Sequence, residues 1–131
     1  VSDAPNPDHL KAHFTAELPA SGPPPRFGIV TAYNANSRPA PDEANRKADQ
    51  ALAHRLVLDG FKHFRVAGGS RDGSHREPGY GIVADSPEEI RPLSRSFHQE
   101  AFFWIEDGTV FVINTEGALR HLVGLWADLQ V

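Results

Sequence analysis

Cysteine and methionine are both absent from these 131 residues. Without cysteine there can be no disulfide framework, thiol nucleophile or cysteine-ligated zinc, and the composition suits a cytoplasmic setting. The lack of methionine extends to position 1, so Val1 is not expected to be the translated start. No apolar run approaches the roughly 18 to 20 residues of a membrane span, and the start lacks a basic stretch followed by a hydrophobic one. The expectation is a soluble protein with no membrane contact. Positive charge is not in surplus either: 13 Lys and Arg stand against 17 Asp and Glu, a net charge of −4. Such a field does not favour polyanions. Arg38, Arg65, Arg71 and Arg76 could make a local patch, but Asp42, Glu43, Asp72 and Glu77 lie among them, so nucleic acid is disfavoured as a partner.

Hydrophobic residues at 40% and charged residues at 23% are ordinary for a globular chain. A chain of this length buries about two-thirds of its unfolded surface in one core. The expected organisation is therefore an N-terminal tail over residues 1–25, with a possible flanking strand carrying Phe14, and a single α+β domain over residues 26–131. Pro23, Pro24 and Pro25 separate the two, since they favour an extended path and cannot donate to a ladder.

From Phe27 to Tyr33, "FGIVTAY" is a continuous apolar run bounded by breakers, as in a central strand. A helix follows. Pro41 suits its first turn, Asp42 and Glu43 its positive end, Ala44, Ala48, Ala51, Leu52, Leu56 and Leu58 its spacing, and Gly60 its stop. "FKHFRVAGG" and "YGIVAD" read as paired strands joined by a long polar loop. "SPEE" carries a capping box, with Ser86 as cap and Glu89 returning to it. Ile90, Leu93 and Phe97 continue as a buried stripe, and Pro92 is expected to disturb that helix. "AFFWI" and "TVFVI" flank Asp107-Gly108, a strong hairpin signal. Leu119, Leu122, Val123, Trp126 and Leu129 recur at helical spacing and predict a short terminal helix. Trp104 and Trp126 read as core aromatics.

The order strand, helix, strand, strand, helix, strand (βαββαβ) is that of a ferredoxin-like split βαβ core. It predicts a mostly antiparallel sheet with both helices on one face, extended by flanking strands. If that order holds, three connections meet at one end of the sheet: Thr31 to Pro41, Gly68 to Gly79, and His98 to Glu100. They bring Thr31, Asn34, Arg38, Asn45, Glu77 and Gln99 together as candidate ligand-binding residues. The start of the first helix also points there, and its free amides suit an anion.

Each of these residues has a plainer use. Asn and Ser in a strand-to-helix loop commonly make side-chain turns. Asn45, a mediocre helix former at an interior position, either braces the loop or sits idle. Glu77 and His75 are the candidates for catalysis by proton transfer, although a structural pairing of Glu77 with a nearby arginine is at least as strong a reading. "HREP" shares His-x-Glu with zinc deaminases but lacks their cysteines. His9 and His13 stand four apart beside Asp8, a metal spacing only if helical, so no metal site is expected. "GGSRDG" has neither the GxGxxG nor the Lys-Ser/Thr of phosphate loops, and no cofactor is expected.

"GIVTAYNANSRP", "ANRKADQAL", "EPGYGI" and "FHQEAFFWI", in this order and spacing, resemble an uncharacterised bacterial family known as domain of unknown function 3293 (DUF3293). The resemblance runs from about Phe27 to Ile113. It implies a small bacterial domain whose motif residues correspond to Thr31, Asn34, Arg38, Asn45, Glu77, Gln99 and Trp104. The chain departs from the family pattern at Ala35, where the pattern has proline, and at His98, where it has glycine. No activity, cofactor or partner comes with the family. Two functional expectations therefore stand side by side. One is a polar pocket for a small polar or anionic ligand at the loop end of the sheet, binding or catalytic. The other is a protein-interaction module in which the polar residues form a purely structural network.

Overall fold

The computed structural model describes residues 3–131. Among these, seven strands form one antiparallel sheet in the order β1-β3-β4-β2-β5-β6-β7. They are β1 (His13–Ala16), β2 (Arg26–Thr31), β3 (His63–Gly69), β4 (Arg76–Val83), β5 (Ala101–Glu106), β6 (Thr109–Asn114) and β7 (Arg120–Leu125), with helices α1 (Asp42–Leu58) and α2 (Arg91–Ser96) between them. The chain is thus α+β, with two α-helices on a curled sheet. The curl brings the chain's end round to the first strand: Gln130 bridges Phe14 of β1, and the Val131 amide donates to the Phe14 carbonyl at 3.0 Å.

β2 explains the arrangement. Its Phe27, Gly28, Ile29 and Val30 are all buried, as a strand covered on both faces requires. Val30 joins the core under the helices, with Leu52 and Leu56 of α1, Leu93 of α2, Ile90 just before it, and Phe102 and Trp104 of β5. Phe27 and Ile29 join a second core inside the curl, with Phe14, Phe64, Val66, Ile105 and Trp126. Aromatic rings hold this second core together. Phe14 meets Phe103 edge-on at 5.0 Å and stacks on Trp126 at 5.4 Å, and Phe27 meets Phe64 at 5.2 Å. Both tryptophans are core residues, as expected.

Several local expectations hold. α1 ends at Gly60, with φ of 75°, and the Phe61 amide reaches back to the Leu56 carbonyl in a Schellman-type closure. Asp107 and Gly108 both take positive φ, 49° and 81°, and turn β5 into β6. Pro92 does more than bend its helix. It stands in the first turn of α2, and the capped Pro87–Glu89 segment is a separate 3-10 turn, so the stripe from Ser86 is split in two.

The expected terminal helix is absent. Residues Arg120–Leu125 form β7 against β6, and only Trp126–Leu129 makes a 3-10 turn. Of the five residues read as the stripe of that helix, Leu119 and Leu122 are 57% and 65% exposed, while Val123, Trp126 and Leu129 reach the core inside the curl from a strand and a 3-10 turn. Leu58 also faces solvent instead of the core. The β3–β4 connection is shorter than its polarity suggested: Gly68 pairs with Glu77 and Gly69 with Arg76, which leaves only residues 70–75 outside the strands.

Candidate functional site

All neighbouring strands are antiparallel, so β2 and β3 end where β4 and β5 begin. The connections 32–41, 70–75 and 97–100 consequently share one end of the sheet. Direct hydrogen bonds link the first connection to the third and to the start of β4. The Asn36 amide donates to the His98 carbonyl at 2.8 Å, Gln99 Nε2 donates to the Tyr33 carbonyl at 3.1 Å, and Asn34 Nδ2 donates to Glu77 Oε1 at 2.7 Å.

The first connection is conformationally demanding. Asn34, Asn36 and Ser37 all have positive φ, at 51°, 59° and 58°. Side chains other than glycine disfavour that region, asparagine least. Asn45 holds the loop in place from inside α1. Its Oδ1 accepts the Asn34 backbone N–H at 2.9 Å, and its Nδ2 donates to Asn34 Oδ1 at 3.1 Å and to the Ala40 carbonyl at 3.3 Å. Asn34 Oδ1 also accepts the Ala40 N–H at 3.0 Å. Of the two uses open to Asn45, bracing is the one observed. At the end of β2 the Thr31 hydroxyl donates to the Pro78 carbonyl at 2.8 Å and accepts the Tyr33 N–H at 3.0 Å.

Beneath these connections lies a cavity of about 570 Å³. Ile29, Val66 and Phe103 give it an apolar floor continuous with the core inside the curl. Thr31, Asn34, Glu77, Gln99 and His75 line it, Asn45 lies behind the loop, and the exposed Arg38 is outside it. No residue from the first turn of α1 lines the cavity, so the helix start expected to seat an anion is not part of its wall.

The remaining wall comes from the N-terminal segment, where the sequence offered His9 and Asp8 only as a dismissed metal spacing with His13. His9, which lines the cavity, packs edge-on against Phe103 at 6.0 Å, and its Nε2 lies 3.5 Å from Glu100 Oε1. Asn6 Nδ2 donates to the same oxygen at 2.9 Å. Farther back, Asp3 Oδ2 accepts the N–H groups of Ala118 and Leu119, each at 2.9 Å. Residues 3–12 are thereby tied across the sheet end. Asn6 Oδ1 accepts the Asp8 N–H, an Asx turn whose "NPD" signature was the available sign of order here.

The 70–75 tip, read from the sequence as part of a long polar loop, is tightly organised. Asp72 Oδ1 accepts from the Ser74 N–H at 2.9 Å and from the hydroxyls of Ser74 and Ser70 at 2.7 and 2.8 Å. These bonds, the Ser74 N–H foremost, lower the Asp72 pKa from the ordinary 3.8 to about 2. A depressed carboxylate contributes stability that is present above its unfolded pKa and is lost as pH falls through the folded one. Amide exchange at Ser70, Ser74 and His75, corrected for intrinsic rate, should therefore accelerate as pH falls from 3.8 toward about 2. Unchanged protection across that window would contradict the assignment.

Among the described residues no group of His, Asp and Glu is arranged to hold a metal ion. Arg65 is committed to Asp49 at 2.9 Å and lies over the Tyr80 ring at 4.4 Å.

Fold and site together define a small α+β domain with a polar-rimmed, apolar-floored cavity at the loop end of an antiparallel sheet. The model of a family described as a protein of unknown function (DUF3293) matches residues 30–102, and the chain belongs to that family. Comparison with curated proteins and with solved structures gave no match. The matched span contains the whole Asn34–Asn45–Glu77–Gln99 brace but not the wall from residues 6–12. Within it His98 has φ of 55°, a conformation best suited to glycine.

Proposed function

We propose that this chain is a small-molecule-binding domain whose site is the cavity at the loop end of the sheet. In this reading Thr31, Asn34, Glu77 and Gln99 form the polar rim, Asn45 holds the rim's shape, and Arg38 is an outer contact for a ligand that extends beyond it. The observation that carries the reading is the cavity itself, about 570 Å³ with an apolar floor and convergent polar groups from four chain segments. Ligand pockets commonly span about 300 to 1,000 Å³ with this mixture of linings. If the ligand is turned over, Glu77 is the carboxylate placed to take a proton, and His75 at the hairpin tip is its partner.

Two further readings concern the setting. The order β3-β4-β2-β5, with α1 and α2 contributing to one core, supports a ferredoxin-like split βαβ core extended by β1 and by β6 and β7. The cysteine-free composition supports a cytoplasmic protein.

Thermal-shift screening against metabolites and nucleotides tests the site. Stabilising compounds should lose their effect on Asn34→Ala and Glu77→Ala. Compounds that stabilise both variants as well as the parent chain would move the site elsewhere.

The alternative is a protein-interaction module, and β7 favours it. It is the edge strand of the sheet, and Leu119, Leu122 and Leu125 beside and within it are exposed. An edge of this kind suits strand addition. A stoichiometric partner lost on Leu122→Lys yet retained by Asn34→Ala and Glu77→Ala would favour this reading over the cavity.

A further inference from the structure

Resting on the reading of the cavity as a ligand site, we infer that its ligand carries a positively charged hydrogen-bond donor, an amine or amidine on an apolar body, and not an anion. Charge is the first reason. The carboxylates of Asp8, Glu77 and Glu100 line the cavity against one lysine, Lys11, with His9 and His75 as the remaining basic side chains. A cation entering a partly dry space needs opposite charge to replace its lost hydration, and these carboxylates supply it. An anion would meet three like charges.

Hydrogen-bond valence is the second reason. Three rim side chains, Thr31, Asn34 and Gln99, spend donors internally, although Lys11, Tyr33, Ser37 and His75 in the same lining still offer theirs. Gln99 Nε2 uses both hydrogens, on the carbonyls of Tyr33 and Phe97, and the Thr31 hydroxyl hydrogen goes to the Pro78 carbonyl. Asn34 Nδ2 and Asn6 Nδ2 each donate to one oxygen of a carboxylate, Oε1 of Glu77 and Oε1 of Glu100. Among the described residues, Glu77 Oε2, Glu100 Oε2 and Gln99 Oε1 receive no hydrogen bond. A ligand that offers donors completes these three acceptors, whereas a carboxylate or phosphate leaves them unmatched.

Shape is the third reason. The floor of Ile29, Val66 and Phe103, together with the bare backbone of Gly68 and Gly79, takes an apolar body and not a second polar group. A Cβ at Gly79 would sit 2.5 Å from the Val30 carbonyl oxygen, so that part of the wall stays free of a side chain.

The experiment is an amide-resolved NMR titration of the full chain with 2-phenylethylamine, 2-phenylethanol and 3-phenylpropanoate. The three share an aromatic body and differ in head group. The amine should shift the amides of Gly68, Gly69, Gly79 and Ala101 at concentrations about tenfold below those the carboxylate needs, a difference of one decade in Kd. Glu77→Gln and Glu100→Gln, each confirmed folded by its spectral dispersion, should each narrow that gap. If the carboxylate or the alcohol engages the same amides more tightly, the cationic assignment is overturned and the cavity remains the site. If none of the three moves those amides, the cavity reading itself falls, and this inference falls with it.

Discussion

Trp104→Ala is expected to destabilise the chain by about 3 to 5 kcal/mol, the usual cost of emptying a buried aromatic site. Trp104 is fully buried on β5, opposite Gly28 of β2 and Phe111 of β6. Gly28 explains how so large a ring fits beside a helix. A Cβ at position 28 would come within 2.6 Å of Ile90, so the bare backbone lets the residue leading into α2 settle onto the sheet beside the indole. The indole N–H donates to Glu106 Oε1 at 3.1 Å, which satisfies the one polar atom of the side chain. Total stabilities of domains run about 5 to 15 kcal/mol, so the loss is a large share of the whole. Urea denaturation checks it through a fall in midpoint with an unchanged slope. A loss below about 1 kcal/mol would mean that Trp104 does not organise this core.

Asn45→Ala is expected to cost about 1 to 3 kcal/mol, with the damage concentrated in residues 33–41. The substitution leaves the Asn34 N–H without its acceptor and the Ala40 carbonyl without the Asn45 donor. It also releases a loop in which Asn34, Asn36 and Ser37 occupy a region that most side chains avoid. Asn45→Asp keeps an acceptor for the Asn34 N–H but sets a carboxylate oxygen against Asn34 Oδ1 and the Ala40 carbonyl in a buried position, so it should cost at least as much as alanine. Hydrogen exchange should localise the change to the loop while the β5–β6 hairpin keeps its protection. A stability loss under about 0.5 kcal/mol would reduce Asn45 to an idle helix residue. The same measurement bears on function. If ligand binding is lost while Asn45→Ala remains folded, the brace serves the cavity; if stability falls and no ligand is ever found, the network is structural.

What the sequence revealed was the part set by local chemistry. The apolar run of β2, the Asp-Gly turn after β5, and the stop of α1 at Gly60 each carry their own signal, and each is where it was expected. The meeting of three connections followed from element order alone, because antiparallel neighbours alternate direction. Two features escaped. β7 was hidden because Leu119, Leu122, Val123, Trp126 and Leu129 recur at helical spacing, although the first two face solvent and the other three reach the core from a strand and a 3-10 turn. The cavity wall of residues 6–12 was hidden because its partners are distant: Asn6 and His9 meet Glu100, contacts that no local pattern encodes. Asn45 lay between these cases. Its poor helix propensity singled it out, but only the fold distinguishes a brace from an idle residue.

Whether the cavity beneath the three connections is where this protein binds its ligand is decided by a crystal structure of the chain with the best stabilising compound from the thermal-shift screen. That compound should lie within the cavity, bounded by His9, Thr31, Asn34, Glu77, Gln99 and Phe103, with the Asn34–Asn45 brace intact. A compound seated on the edge of β7, or anywhere that leaves the cavity to solvent, would contradict that placement.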